Sequence, residues 1–310
     1  MAPATLRIRL LGELDLRLGE EPLPLLGSAR AESLLAYLLL HRDTPQPRQR
    51  LAFLLWPDSS ESQARTNLGH VLHVLRRTLP DADRFLEVTP RALRWREDAP
   101  WWLDVAAFEE AVARAGREPD GAGELPALRE AAGLYRGDLL ESGYDEWLLE
   151  PRERLRRDHL RALERLVELL EARVELAEAI GFAERLLRAD PLREATYRAL
   201  MRLHDARGDR ARALRAYHAC AAALERELSV EPSAPTRRAY EALRPHSAGV
   251  YANFLSDEGP AGVDFAYGER LHRLTALKDR HDPTNFFHMN ANIRPSRGRG
   301  ASAGRPERSE

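Results

Sequence analysis

The chain has 310 residues, enough for two compact domains and a smaller third piece. Its apolar content of 44% and charged content of 31% are those of a soluble protein with a sizeable core, and its longest strongly apolar run, Leu34 to Leu40, is far too short for a membrane span. The net charge of −2 hides an even spread: 14 Arg against 13 acidic residues over 1–100, 24 against 28 over 101–245, and 9 basic against 8 acidic over 246–310. No region is basic as a whole, so any contact with nucleic acid must come from a local patch. Cys220 is the only cysteine, which excludes an intrachain disulfide or a cysteine-rich zinc site, and its apolar helical surroundings point to a buried, inert thiol. The N-terminus has no signal-peptide core, which places the protein in the cytoplasm.

In chain order, Leu6, Ile8 and Leu10 alternate with Arg7 and Arg9, and Leu14, Leu16 and Leu18 alternate with Asp15 and Arg17. This period of two predicts half-buried strands with Gly12 near their turn, and Leu23 and Leu25 around Pro24 predict a short edge strand. Helical spacing takes over from Ala29 to Leu40, and 43–47 breaks the chain. Gln49 to Trp56 predicts a second helix, stopped at Trp56-Pro57. Ser60 and Gln63 have the capping-box spacing at the start of a third helix over about Glu61 to Leu79, ended by Pro80. Phe85 to Val88 and Ala92 to Trp95 predict two short strands joined at Pro90-Arg91. Strands, three helices and a terminal hairpin are the order of a winged helix-turn-helix, and the leading sheet points to its response-regulator variety.

On the third helix Ala64, Leu68, Val71, Leu72, Leu75 and Leu79 fall on one face. The opposite face carries Gln63, Thr66, His70, His73 and Arg77, flanked by Arg65, Arg76 and Gly69, with no carboxylate among them. Such donors and cations suit a helix in a DNA major groove, where Arg reads guanine and Gln or His bonds base edges or phosphates. The competing reading is a merely solvated face, which would usually mix Glu with Arg. Arg91, Arg94 and Arg96 surround the terminal hairpin and are candidates for phosphate or minor-groove contact, or are incidental in an arginine-rich chain.

From Trp102 to about residue 244 the pattern is helical, with Pro151, Pro191 and Pro232 recurring at separations of 40 and 41. Between them, Glu153–Leu170 with Ala177–Arg188, and Leu192–Ala206 with Arg210–Leu228, form pairs of amphipathic stretches, the second split at Gly208-Asp209. Two helices per unit indicate a tetratricopeptide-like array, an interaction module. The fold class expected is mainly α: a winged helix with an N-terminal sheet over 1–100, helical repeats over 101–245, a short α+β appendage over 246–296, and a Gly-, Ser- and Arg-rich disordered tail over 297–310.

Several strings carry a resemblance. L-L-A-Y-L-L-L-H (34–41), L-A-F-L-L-W-P-D (51–58), A-R-T-N-L (64–68) and L-R-R-T-L-P (75–80) resemble the SARP-type antibiotic-regulatory activators of actinobacteria. W-L-D-V-A-A-F-E (102–109), L-Y-R-G-D-L-L (134–140), D-P-L-R-E-A (190–195), G-D-R-A-R-A-L (208–214) and E-L-S-V-E-P-S (227–233) are similar to the bacterial transcriptional activation domain. The resemblance implies sequence-specific binding of double-stranded promoter repeats, with RNA polymerase contact, dimerisation or effector sensing by the helical part. Two departures stand out. Gly69 replaces a residue that is often polar or basic in the family, at about 1 kcal/mol of helix stability relative to Ala. Val-Glu-Leu (174–176) replaces the expected Gly-Asp turn, which predicts an irregular hairpin. No Gly-x-x-x-x-Gly-Lys loop occurs and the single lysine, Lys278, lies elsewhere, so ATP-driven control is not expected.

After Arg244-Pro245, Y-A-N-F (251–254), A-Y-G (266–268), D-P-T-N-F-F (282–287) and N-A-N-I-R-P (290–295) resemble the C-terminal element of berberine-bridge-type flavin oxidases. That element normally packs on a larger flavin-binding domain, for which no attachment motif occurs here. No cofactor and no metal are therefore expected. Tyr251, Asn253 and Asn290 become flavin-proximal candidates only if a partner chain supplies the flavin site. His41, His204, His218 and His272 are scattered and read as structural or solvated. Three functional readings follow: a DNA-binding regulator, a fragment or subunit of an FAD-linked oxidoreductase, and a repeat scaffold in which Gly69 has abolished DNA binding.

Overall fold

The computed structural model describes residues 4–117, 121–243 and 270–286, with 293, 295 and 296. Tyr251, Asn253, Asn290 and the tail over 297–310 lie outside the described residues. The chain divides into two compact units, Met1–Pro191 and Leu192–Glu310.

In the first unit, β1 (Leu6–Arg9), β2 (Asp15–Leu18), β3 (Glu21–Pro22) and β7 (Trp101–Leu103) form a sheet in the order β3-β2-β1-β7. β1 runs antiparallel to β2 and parallel to β7. The edge strand expected at Leu23 and Leu25 is displaced to Glu21–Pro22. Pairing ends at the Leu23 N–H, which donates to Leu16 O, because Pro24 has no donor to continue it, and Leu25 is left exposed. Trp102 and Leu103, read from sequence as the start of the helical pattern, belong to strand β7 (Trp101–Leu103) instead.

Helix α1 (Ala29–Leu40) is capped by Ser28 and buried almost continuously from Ser33 to Leu39, as expected of a helix that is apolar all round. α2 (Arg48–Leu55) and α3 (Glu61–Thr78) follow across the Trp56–Ser60 turn, then the short α4 (Ala82–Phe85) and the β5 (Leu86–Val88)–β6 (Ala92–Trp95) hairpin. β6 also pairs with β4 (Gln46–Pro47), a strand the proline-rich spacing concealed. Half of the predicted capping box forms. Ser60 Oγ accepts the Gln63 N–H at 3.4 Å, but the Gln63 side chain turns forward to Asn67 Oδ1 at 2.9 Å.

The helical part packs as hairpins: α5 (Asp104–Arg117) with α6 (Glu124–Leu134), α7 (Leu149–Ala172) with α8 (Leu176–Ala189), and, in the second unit, α9 (Glu194–Ala206) with α10 (Arg210–Leu228), followed by α11 (Ala234–Leu243). A further helix spans Arg270–His281. The prolines do not mark the repeat, since Pro151 sits in the first turn of α7 while Pro191 precedes α9. The turns mark it. Arg173, Val174 and Glu175 donate to Leu169, Glu171 and Leu170; Arg207, Gly208 and Asp209, 34 positions later, donate to the matching carbonyls of Leu203, Asp205 and His204. That offset is the tetratricopeptide period. Gly208 adopts φ +76° without cost, whereas Val174 is held at φ +62°, the left-handed region that a β-branched side chain avoids. Cys220 is fully buried in α10, and burial pushes its thiol up to about 11.

No flexible linker separates the winged helix from the first helices. Asp104, fully buried at the start of α5, accepts the backbone N–H groups of Leu10, Leu11 and Val105 at 2.8–3.1 Å. Burial pushes its carboxyl above the usual carboxylate range, although those three N–H groups and Arg9 pull the other way. Leu11 bridges Leu139, and Arg152 donates to the carbonyls of Leu139, Leu140 and Gly143. Arg30 pairs with Asp145, and Trp147 Nε1 donates to Ser33 Oγ at 3.0 Å. One continuous apolar core runs from Leu6 through α1, α3 and α5 to Leu155.

Two stability outcomes follow. Asp104→Ala strands three buried donors and should cost about 3 kcal/mol or more. Asp104→Asn should recover only part, because its amide N–H₂ would face the Leu11 donor; thermal unfolding of the two variants against the parent checks the ranking. Val174→Gly should raise the unfolding midpoint by relieving a left-handed β-branched residue, a gain of about 1 kcal/mol. An unchanged or lower midpoint would show that the turn carries no strain.

Candidate nucleic-acid interface

Helices α2 and α3 with their five-residue turn form the helix-turn-helix. α3 is amphipathic as its spacing requires: Ala64, Leu68, Val71, Leu72 and Leu75 are buried, while Gln63, Arg65, Thr66, Gly69, His70, His73, Arg76 and Arg77 are exposed. The apolar face locks into the cluster that also holds Leu51, Leu55, Phe85 and Trp95, so the polar face is fixed outward by core packing.

The electrostatics of that face are less uniform than its own residues imply. Glu61 pairs with Arg65 one turn on and also accepts from Gln49 Nε2, and Asp83 on α4 pairs with Arg76 at 2.7 Å. Two guanidiniums are therefore already engaged by carboxylates, whereas Arg77 has no carboxylate partner among the described residues. Thr66 Oγ1 donates back to Ser62 O, which leaves its oxygen lone pairs outward. The Glu61–Arg65 pair was legible as an i,i+4 spacing; Asp83 comes from the next element and carries no such signal. A Cβ built on Gly69 would meet nothing within 4 Å, so the glycine leaves bare backbone on the exposed face, and a larger residue would fit there.

The wing residues separate in the same way. Arg91 is exposed at the β5–β6 turn, where Thr89 Oγ1 accepts the Ala92 N–H at 2.9 Å and fixes the bend. Arg94 and Arg96 alternate with the buried Leu93 and Trp95 and are half-buried. Their Nε atoms are covered and have no hydrogen-bond partner among the described residues. Of the three, Arg91 is the one freely presented. Away from this surface, His41 is structural: it stacks on Tyr37 at 4.1 Å, and its Nδ1 lies 2.9 Å from Tyr37 O. Among the described residues no helix is long and apolar enough to cross a membrane.

The comparisons with known proteins agree with this architecture. The family model described as bacterial transcriptional activator domain matches residues 103–244, and the one described as berberine and berberine like matches 250–294. Transcriptional regulatory protein MoaR1 of Mycobacterium tuberculosis is 30% identical over 242 residues, covering 75% of this chain and 77% of that protein, and MoaR1 of Mycobacterium bovis matches equally. An FAD-linked oxidoreductase of Dictyostelium discoideum is 38% identical over 53 residues, which is 17% of this chain and 11% of that protein. The solved structure of Mycobacterium tuberculosis EmbR in complex with a low-affinity phosphopeptide shares the fold, with a TM-score of 0.61 at 23% identity over 89% of this chain and 72% of that one. With a sheet-led winged helix, helical hairpins of the activator type and a relative aligned along three quarters of both chains, this protein belongs to the SARP-type family of bacterial transcriptional regulators.

Proposed function

We propose that this regulator binds promoter DNA through α3 and activates transcription through its helical hairpins. The observation that carries the DNA-binding half is the fixed outward face of α3, a run of donors and cations presented by a helix-turn-helix. Thr66, His70, His73 and Arg77 read base edges in the major groove, Gln63 and Arg65 sit toward its start, and Arg76 toward its end. Arg91 at the wing tip, with Arg94 and Arg96 behind it, holds phosphate or minor groove. Arg65 and Arg76 exchange their carboxylates for phosphate on binding, so their net contribution is smaller than that of Arg77. Protomers pair on direct repeats and recruit RNA polymerase, in the cytoplasm. The functional divisions are residues 1–100 for DNA, 101–245 for activation and 246–296 for a docking appendage. The berberine-like segment gives an FAD-linked oxidoreductase reading its only support, and its short span favours docking over catalysis.

Anisotropy of the full chain on its own upstream DNA against scrambled DNA, across a salt series, tests the reading. Preferential binding that weakens steeply with salt is expected. Arg77→Ala should weaken specific binding by about 1–3 kcal/mol. Equal affinity for both DNAs at every salt would reject the assignment, and a flavin absorbance band in the purified protein would favour the oxidoreductase reading.

A further inference from the structure

The outer face of the N-terminal sheet carries charge that the fold does not account for. β1 and β2 turn Leu6, Ile8 and Leu16 into the core, so Arg7, Arg9 and Arg17 stand on the solvent side. The register sets Arg7 directly opposite Arg17 and beside Trp102 of β7. Like charges facing each other across antiparallel strands repel, and solvent faces of sheets normally pair opposite signs at such positions. Asp15 does this for Arg9, which stands opposite it at 4.0 Å, and also pairs along its own strand with Arg17 at 3.2 Å. Arg7 has no carboxylate partner among the described residues, and neither has Arg136.

Arg136 reaches this face because its loop is pinned to the end of β1. Gly12 N–H donates to Asp138 O, Leu140 N–H to Leu10 O and Glu141 N–H to Gly12 O. The approach is close enough that a Cβ on Gly137 would lie 3.1 Å from Gly12 Cα, and Gly12 itself sits at φ +102°. The Arg7 and Arg9 guanidiniums lie over the Trp102 ring, 5.1 and 5.5 Å from its centroid, which restrains two otherwise mobile side chains. Arg7, Arg9, Arg17 and Arg136, with Asp15 and Glu20, line a concavity of about 320 Å³. Four guanidiniums from three chain segments face two carboxylates.

We propose that this concavity is a binding site for a compact oligophosphate anion, distinct from the DNA-contacting face of α3. Guanidinium forks match phosphate oxygens two at a time, and a surplus of two positive charges calls for a ligand with more than one negative charge. The volume of about 320 Å³ is at the small end of ligand pockets, which suits a compact anion better than a duplex backbone. A bound di- or triphosphate group relieves the Arg7–Arg17 repulsion and joins β1, β2 and the loop at Arg136.

The test is titration calorimetry of the full chain with inorganic pyrophosphate at constant ionic strength. Saturable binding is expected. Arg7→Gln combined with Arg136→Gln should weaken it at least tenfold, while Arg161→Gln, an exposed arginine on α7, leaves it unchanged. Arg136→Gln alone, in an exposed loop position, should still weaken binding severalfold and serves if the double variant misfolds. No binding at millimolar pyrophosphate, equal affinity in parent and variants, or equal affinity for sulfate would overturn the proposal. A shallower salt dependence of DNA binding in the double variant would overturn it too, by assigning these arginines to the DNA backbone.

Discussion

The Asp104 carboxylate is the constraint on which the first unit depends. It lies where β1 ends, β7 ends and α5 begins, and it satisfies three N–H groups that no strand or helix neighbour reaches. A buried donor without a partner costs about as much as several exposed ion pairs contribute, so this single side chain decides whether β7 can join the sheet and α5 can start. Once it is in place, the Leu11–Leu139 bridge and the Arg152 contacts close the following loop onto the same strand. The winged helix and the first helical hairpins thereby share one core. The N-terminal sheet and those helices are joined by packed side chains and hydrogen bonds, with no linker between them.

The exposed face of α3, proposed above to meet DNA, is polar without being left fully charged. Glu61 and Asp83 shield two arginines in the free protein, while Arg77 stands open. Exposed pairs of this kind contribute little to stability, so giving them up on binding costs little. On the proposed reading, contacts at Arg65 and Arg76 would form only where phosphate or base competes better than the resident carboxylate. Gly69 leaves bare backbone on the same face, with open space where a side chain would stand.

The helical hairpins carry a repeat that is plain in hydrogen bonds and blurred in sequence. The same three backbone bonds close the turns at Val174 and Gly208, yet one turn uses a residue suited to left-handed backbone and the other does not. Between α6 and α7, Arg165 pairs with the nearly buried Glu124, and Arg129 joins Glu178 across to α8. These ionic contacts tie Arg165 and Arg129 to neighbouring helices. On the outer sheet face, by contrast, Arg7 and Arg136 have no carboxylate partner among the described residues.

The boundaries of α1, α2, α3, α10 and the β5–β6 hairpin were legible from sequence because local signals agree there: period, the cap at Ser60, and stops at Trp56-Pro57 and Leu79-Pro80. The family was legible for the same reason, as its motifs mark caps, turns and core faces. The outward set on α3 could be listed from a helical wheel. What the sequence could not contain was pairing between distant segments. β4 and β7 are two and three residues long and exist only because β6 and β1 offer them partners, and β3 moved because Pro24 cannot donate. Asp83 beside Arg76, and Arg136 beside Arg7, are juxtapositions of residues far apart in the chain or on different elements. Composition and period determine which faces are buried, since burial depends on local repetition. Which charges meet depends on the path of the backbone between them, and only the tertiary structure decided that.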